Sequence, residues 1–167
     1  NPEKKDAPLA DILLRVSAKG EVEEEIRLPE ALAKHAVRFG FEGVAVIGTG
    51  ADETVWLAVQ REWKDDPKGM VKLLSYKPAS KEWGVLHYPL SQPAAGFWMG
   101  LSELVALGDD RFAVIERDNG FGAKAVKTLA TFSVKGLKPA PFGSSEIPTV
   151  GKTLLRDFTR DQFRTWL

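Results

Sequence analysis

An all-β, antiparallel fold is what this sequence predicts, and three observations predict it. Short apolar runs of strand length alternate with turn residues. Four such runs fill residues 41–90, and a second set fills 101–156. The second set repeats the pattern of the first. Four antiparallel strands joined by tight turns within about 50 residues make one propeller blade. The expectation is therefore about two and a half blades of an incomplete β-propeller, with residues 9–28 ending one blade.

The elements follow in order. Asp11 to Ser17 reads as a strand, Ala18-Lys19-Gly20-Glu21 as a turn, and Val22 to Leu28 as the hairpin partner. Pro29 to Val37 reads as a short helix, because proline is tolerated in a first helical turn. Phe41 to Ile47 is almost wholly apolar and is expected to be buried on both faces. Gly48 to Glu53 is a turn before the strand Thr54 to Glu62. The polar loop 63–68 leads to the strands Met70 to Tyr76 and Glu82 to Tyr88. Leu101 to Leu107, the turn Gly108-Asp109-Asp110, and Arg111 to Arg117 open the second unit. Ala123 to Val134 and Gly151 to Leu155 complete it, around a Pro- and Gly-rich loop over 138–148. Asp157 to Leu167 reads as helical or frayed.

The repeat can be aligned residue by residue. Glu42-Gly43-Val44-Ala45-Val46 lies over Glu103-Leu104-Val105-Ala106-Leu107, and Trp56 to Glu62 lies over Phe112 to Asp118. The change of offset between the two matches is a shorter turn in the second unit. Repeats of this kind bury their faces only against neighbours. The open ends imply missing blades or self-association, and a fragment of a longer protein is the expectation.

Composition excludes several classes. Of 167 residues, 23 are Lys or Arg and 23 are Asp or Glu, for a net charge of +0. No basic stripe offers a grip on nucleic acid. The absence of cysteine removes disulfides, thiolate metal sites and cysteine nucleophiles. No apolar run approaches transmembrane length. Gly48-Thr49-Gly50 lies between strands and so lacks the helix of a dinucleotide fingerprint. Gly151-Lys152-Thr153 lacks the upstream glycine of a phosphate loop, since Glu146 stands there. His35 and His87 have no partner at metal-ligand spacing, and no nucleophile elbow is present.

Gly40 to Val46, Trp56 to Glu62 and the run Leu101 to Asp118 resemble the bacterial phytase-like family, described as having an esterase-like activity of phytase. Asp11 to Val16 and Ile26 to Pro29 are similar to that family's preceding blade, and Lys152 to Asp157 to its closing strand. The resemblance implies a propeller in an exported protein, periplasmic or secreted. It also implies acidic residues engaged in phosphoester hydrolysis, with a phosphorylated small molecule or phosphodiester as partner.

Two recurring constellations could carry that chemistry. Pairing Leu107 with Phe112 puts Glu103 opposite Glu116, and the same register puts Glu42 opposite Gln60. Opposed carboxylates repel unless they are exposed, share a proton or hold a cation. With no His or Cys cluster, that cation would be Ca²⁺, with Mg²⁺ second. One reading makes Glu42, Glu103 and Glu116 metal ligands, with Glu103 and Glu116 also catalytic. The other makes them blade-spacing acceptors. Arg61-Glu62 and Arg117-Asp118 end matching strands. Arg61 is then a substrate-binding residue and Arg117 a catalytic one, each forking onto phosphate. Alternatively, each forms an inter-blade ion pair. Trp98, within Phe97-Trp98-Met99, could line a pocket for substrate, and Asp52-Glu53 and Asp109-Asp110 are read as turn residues. The function expected is a metal-assisted phosphoester hydrolase, and the alternative is a non-catalytic binding propeller of the bacterial envelope.

Overall fold

The structure, a computed structural model, describes residues 11–159, with the side chain of Ala123 excepted. Within them ten strands form three antiparallel sheets. β1 (Ile12–Val16) and β2 (Val22–Arg27) make a hairpin, followed by a single helical turn, α1 (Glu30–Ala33). The first four-stranded sheet is β3 (Phe41–Ile47), β4 (Thr54–Val59), β5 (Met70–Lys77) and β6 (Glu82–Pro89), in that spatial order. The second is β7 (Met99–Gly108), β8 (Arg111–Asp118), β9 (Lys127–Ser133) and β10 (Lys152–Asp157), also in sequence order. Two successive meanders of four strands, with no closed barrel, match the blade-like organisation read from the sequence.

Several expected elements are shorter than their apolar runs. The helix expected over 29–37 is one turn, because the His35 carbonyl turns aside to accept the Lys64 N–H at 3.1 Å. The strand expected from Ala123 begins at Lys127, its first residues being spent in a tight turn at Gly122–Lys124. Asp157 closes β10 instead of opening a helix. Residues from 160 onward, Trp166 among them, lie outside the described residues.

The two sheets pack face to face. Trp56, Ala58, Leu73, Leu86 and Tyr88 from the first meet Leu101, Leu104, Phe112, Val114, Ala130 and Phe132 from the second. Phe112 stacks on Phe132 at 5.3 Å and touches Trp56 at 5.8 Å between ring centroids. The other face of the first sheet carries Val55, Leu57, Val59, Leu74 and Val85, covered by Ile26 of the hairpin and Leu32 of α1. This makes β4 to β6 buried on both sides, as long apolar runs should be.

β3 departs from that expectation. Its burial alternates, with Val44 and Val46 about half exposed at 53% and 50%. The hairpin covers the outer strands and leaves this inner one open on one face. Gly43 turns toward β7 and makes that approach possible, since a Cβ there would sit 2.7 Å from both the Glu103 carbonyl carbon and the Leu104 Cβ.

Register also differs from the aligned repeat. Trp56 and Phe112, matched in the alignment, face each other across the interface instead of occupying equivalent places. A one-residue slip in a strand reverses every side chain, and apolar spacing alone does not report that phase. Finally, the Pro- and Gly-rich segment after β9 crosses back to the first sheet. Val85 and Ala140 exchange backbone hydrogen bonds at 2.9 Å, His87 N–H donates to Pro148 at 2.8 Å, and Val150 N–H donates to His87 at 2.9 Å. The segment thereby covers the outer edge of β6, which would otherwise be a free pairing edge.

Candidate functional site

The expected carboxylate set does not assemble. A register shift between Ala106 and Gly108 pairs Phe112 with Ala106 instead of Leu107, and β7 continues against β8 through Leu104↔Val114 and Leu101↔Glu116, with a bulge between Leu101 and Leu104. The bulge places two residues, Ser102 and Glu103, against one and turns Glu103 out to solvent. Its Oε1 accepts the Leu104 N–H at 2.8 Å. Glu42 sits at a second bulge, between Phe41 and Gly43, and is exposed instead of opposing Gln60. Glu116 is fully buried in the sheet interface, where it accepts the Tyr88 hydroxyl at 2.5 Å and the Ser91 N–H at 3.1 Å and pairs with Lys152. Among the described residues no three His, Asp or Glu side chains group to hold a metal ion. The donors expected for calcium therefore do not fit a shared site, and Glu116 ties the two sheets together.

The arginines behave differently. The Arg61 guanidinium lies over the Trp98 ring at 4.6 Å and that of Arg117 at 5.2 Å. One follows β4, the other lies on β8, and the indole belongs to the segment entering β7. Trp98 is fixed at both backbone ends of its peptide: its N–H donates to Asn119 Oδ1 at 2.8 Å, and its carbonyl accepts the Asn119 N–H at 3.3 Å. Gly100 makes room for the ring, since a Cβ there would lie 3.1 Å from Trp98 Cζ3 and 2.9 Å from the Gln60 carbonyl oxygen. Arg117 Nε donates to Ser102 Oγ at 2.9 Å.

Phe39 extends the cluster. Its ring is 5.4 Å from that of Trp98, with the Arg61 guanidinium at 5.4 Å and that of Arg38 at 5.3 Å. Phe39 holds φ at 79°, a left-handed conformation that is costly for a bulky side chain. Three guanidiniums and two aromatic rings thus share one rim. Among the described residues none of the three arginines has a carboxylate partner. The acids next to them are engaged elsewhere: Glu62 accepts the Gly69 N–H at 3.1 Å, and Asp118 pairs with Lys127 at 2.7 Å. Burial alone would raise the Asp118 carboxyl, but Lys127 and the Val126 and Gly120 N–H groups outweigh it and hold it below the usual carboxylate range. It stays ionised and committed to Lys127, so it does not neutralise Arg117.

Beside Trp98 a cleft of about 320 Å³ runs between the loop after β4 and the segment joining the sheets. Arg61, Lys68, Phe97 and Trp98 line it. Sequence reading singled out Arg61, Arg117, Trp98 and the aromatic segment, and the structure brings these together. It did not single out Arg38, Phe39 or Lys68. No spacing links these to the others, though Arg38-Phe39 before Gly40 is an arginine-aromatic pair like those assembled here.

An all-β chain of stacked four-stranded sheets, with an arginine-rich aromatic rim between two of them, is the class of protein defined so far. The family described as "Phytase-like: Esterase-like activity of phytase" matches residues 4–166, and the chain belongs to it. No curated protein and no solved structure matches the chain.

Proposed function

We propose that this chain recognises a phosphoester through Arg61 and Arg117. One observation carries the reading: two guanidiniums are held on one indole without a carboxylate ion-pair partner among the described residues, and Arg61 and the indole line a cleft. Guanidinium groups match phosphate oxygens in a planar fork, and stacking on an aromatic ring pre-orients that fork without using its donors. Lys68 adds a further cation to the cleft. Family membership, with its esterase-like description, supports extending recognition to hydrolysis. In that extension Glu103, solvent-exposed and adjacent to the Ser102 that holds Arg117, is the candidate base for attacking water.

The test measures binding of inorganic phosphate by calorimetry, then turnover of a phosphomonoester and a phosphodiester across a calcium titration with a chelator control. Arg61→Ala and Arg117→Ala are each expected to weaken phosphate binding about ten- to hundredfold, the value of a charge-assisted hydrogen bond. Turnover that Glu103→Gln abolishes supports the hydrolase extension, with or without added calcium. Binding without turnover assigns the chain to the non-catalytic binding propellers. No phosphate binding by folded protein overturns the reading.

A further inference from the structure

Ser91 follows β6 and, with Gln92, lines the cleft beside Trp98. Its Oγ accepts a hydrogen bond from Lys152 Nζ at 2.8 Å, and its own O–H has no acceptor among the described residues. Lys152 comes from β10, and its ammonium also pairs with Glu116 of β8. Glu116 is fixed in turn by the Tyr88 hydroxyl at 2.5 Å and the Ser91 N–H at 3.1 Å. A line of contacts thus runs from Ser91, through a lysine side chain 22% accessible, to a carboxylate 1% accessible. A hydroxyl, a group that can take its proton and a third group that orients the second is the arrangement that activates a nucleophile, and serine–lysine pairs are one version of it. The tie between the sheets does not require the Ser91 hydroxyl, because the Ser91 N–H already reaches Glu116.

We propose that Ser91 is a covalent nucleophile toward carboxylic esters, with Lys152 relaying its proton to Glu116. This activity goes beyond the phosphoester reading and does not depend on it. Ser91 Oγ bonds to the ester carbonyl carbon as its proton passes to Lys152 Nζ and a Lys152 proton passes to Glu116. Lys152 therefore remains an ammonium, and the buried carboxylate becomes neutral, where burial disfavours charge. The carbonyl oxygen takes up the negative charge. The Gln92 side-chain amide, which makes no hydrogen bond among the described residues, is the neighbouring donor for it. Collapse restores the carbonyl and breaks its bond to the alcohol oxygen, which leaves with the proton returned through Lys152. Water then attacks the acyl-serine by the same relay, releasing the acid and restoring the Ser91 hydroxyl. Nucleophile, proton acceptor and oxyanion donor are the three functions that acyl transfer needs.

An alkyl fluorophosphonate tests the nucleophile directly. Ser91 Oγ bonds to phosphorus, the P–F bond breaks, and fluoride leaves as the serine proton moves to Glu116 through Lys152. The intact mass of the chain should show a single adduct, and peptide mapping should place it on Ser91. p-Nitrophenyl acetate should turn over, and Ser91→Ala should abolish both labelling and turnover. Lys152→Arg keeps a positive charge beside Glu116 but releases no proton, so labelling should slow about 100- to 10,000-fold. Urea unfolding establishes which variants are folded, and if Lys152→Arg is not, the comparison with Ser91→Ala still decides. No adduct on the folded chain, an adduct on another residue, or labelling of folded Lys152→Arg at the unsubstituted rate overturns the proposal. Phosphate binding is untouched by these outcomes, so the phosphoester reading stands or falls separately.

Discussion

Lys72 is the most exposed point of weakness in the fold because it is itself not exposed. Its side chain is 2% accessible, on β5, and its ammonium pairs with Asp66 and, at 2.8 Å, with Asp65. The Asp66 side chain is shielded from solvent and also accepts the Trp63 N–H at 2.8 Å, while His87 Nε2 lies 3.2 Å away. Replacing Lys72 with Met keeps the apolar stem and removes the ammonium, whose nitrogen also lies 5.4 Å from the Trp63 ring centroid. Asp66 is then a buried carboxylate without its main counter-charge. Breaking one side of such a pair costs about 3–5 kcal/mol. At roughly 2–4 °C per kcal/mol for a chain of this size, the midpoint should fall by about 10 °C. Urea unfolding followed by tryptophan fluorescence reads the loss directly. A second substitution, Asp66→Asn, made on the Lys72→Met background should recover part of it, since the stranded charge is gone.

The pH dependence follows with its sign. Burial alone would raise the Asp66 carboxyl, but hydrogen bonds from His87, Lys72 and Trp63 outweigh it and hold it below 3.8. A carboxyl lowered in the folded state stabilises above its unfolded pKa of about 3.9, and that contribution is lost as pH falls through the folded value. In Lys72→Met the folded pKa rises, so acid unfolding should begin at higher pH. A loss below about 1 kcal/mol, with an unmoved acid limb, would refute the claim that this buried pair holds the loop after β4 to the sheet.

Three further outcomes are expected. Gly43→Ala forces β3 and β7 apart and should cost about 1–3 kcal/mol in urea unfolding, whereas the same change at Gly151, which has open space around it and no left-handed φ, should cost less. Phe112→Ala removes a ring packed between Trp56 and Phe132 and should cost about 3–5 kcal/mol by the same assay. Burial, reinforced by Glu116, raises the Tyr88 phenol far above its ordinary value. A phenol raised by folding adds stability that is intact below the unfolded pKa of about 10 and lost as pH rises beyond it. Folded protein should therefore show no Tyr88 phenolate absorbance near pH 11, with tyrosinate appearing only as the chain unfolds in alkali.

Local chemistry was legible where local chemistry decides. The β7–β8 turn shows this: Asp109 and Asp110 take φ of 52° and 56°, the paired left-handed conformation that a tight two-residue hairpin needs and that Asp tolerates. The strand β3 was bounded correctly for the same reason, an apolar run closed by turn residues at each end. Facing was not legible. The irregularities at Glu42, between Ala106 and Gly108, and between Leu101 and Leu104 each shift one strand against its partner, and together they move Glu42, Glu103 and Glu116 out of the register that even pairing would impose.

What the sequence alone determined, then, is the all-β class, the two meanders of four strands, the hairpin before them, and the residue types of the rim. Those follow from periodicity and turn propensity, which act over a few neighbours along the chain. Tertiary structure decided the rest: that Arg61 and Arg117 meet on Trp98, that Glu116 is a buried tie to Tyr88 and Lys152, and that the 138–150 segment closes the edge of β6. Each of these joins residues far apart in sequence, and each depends on how two sheets pack and on bulges that set which face a side chain takes.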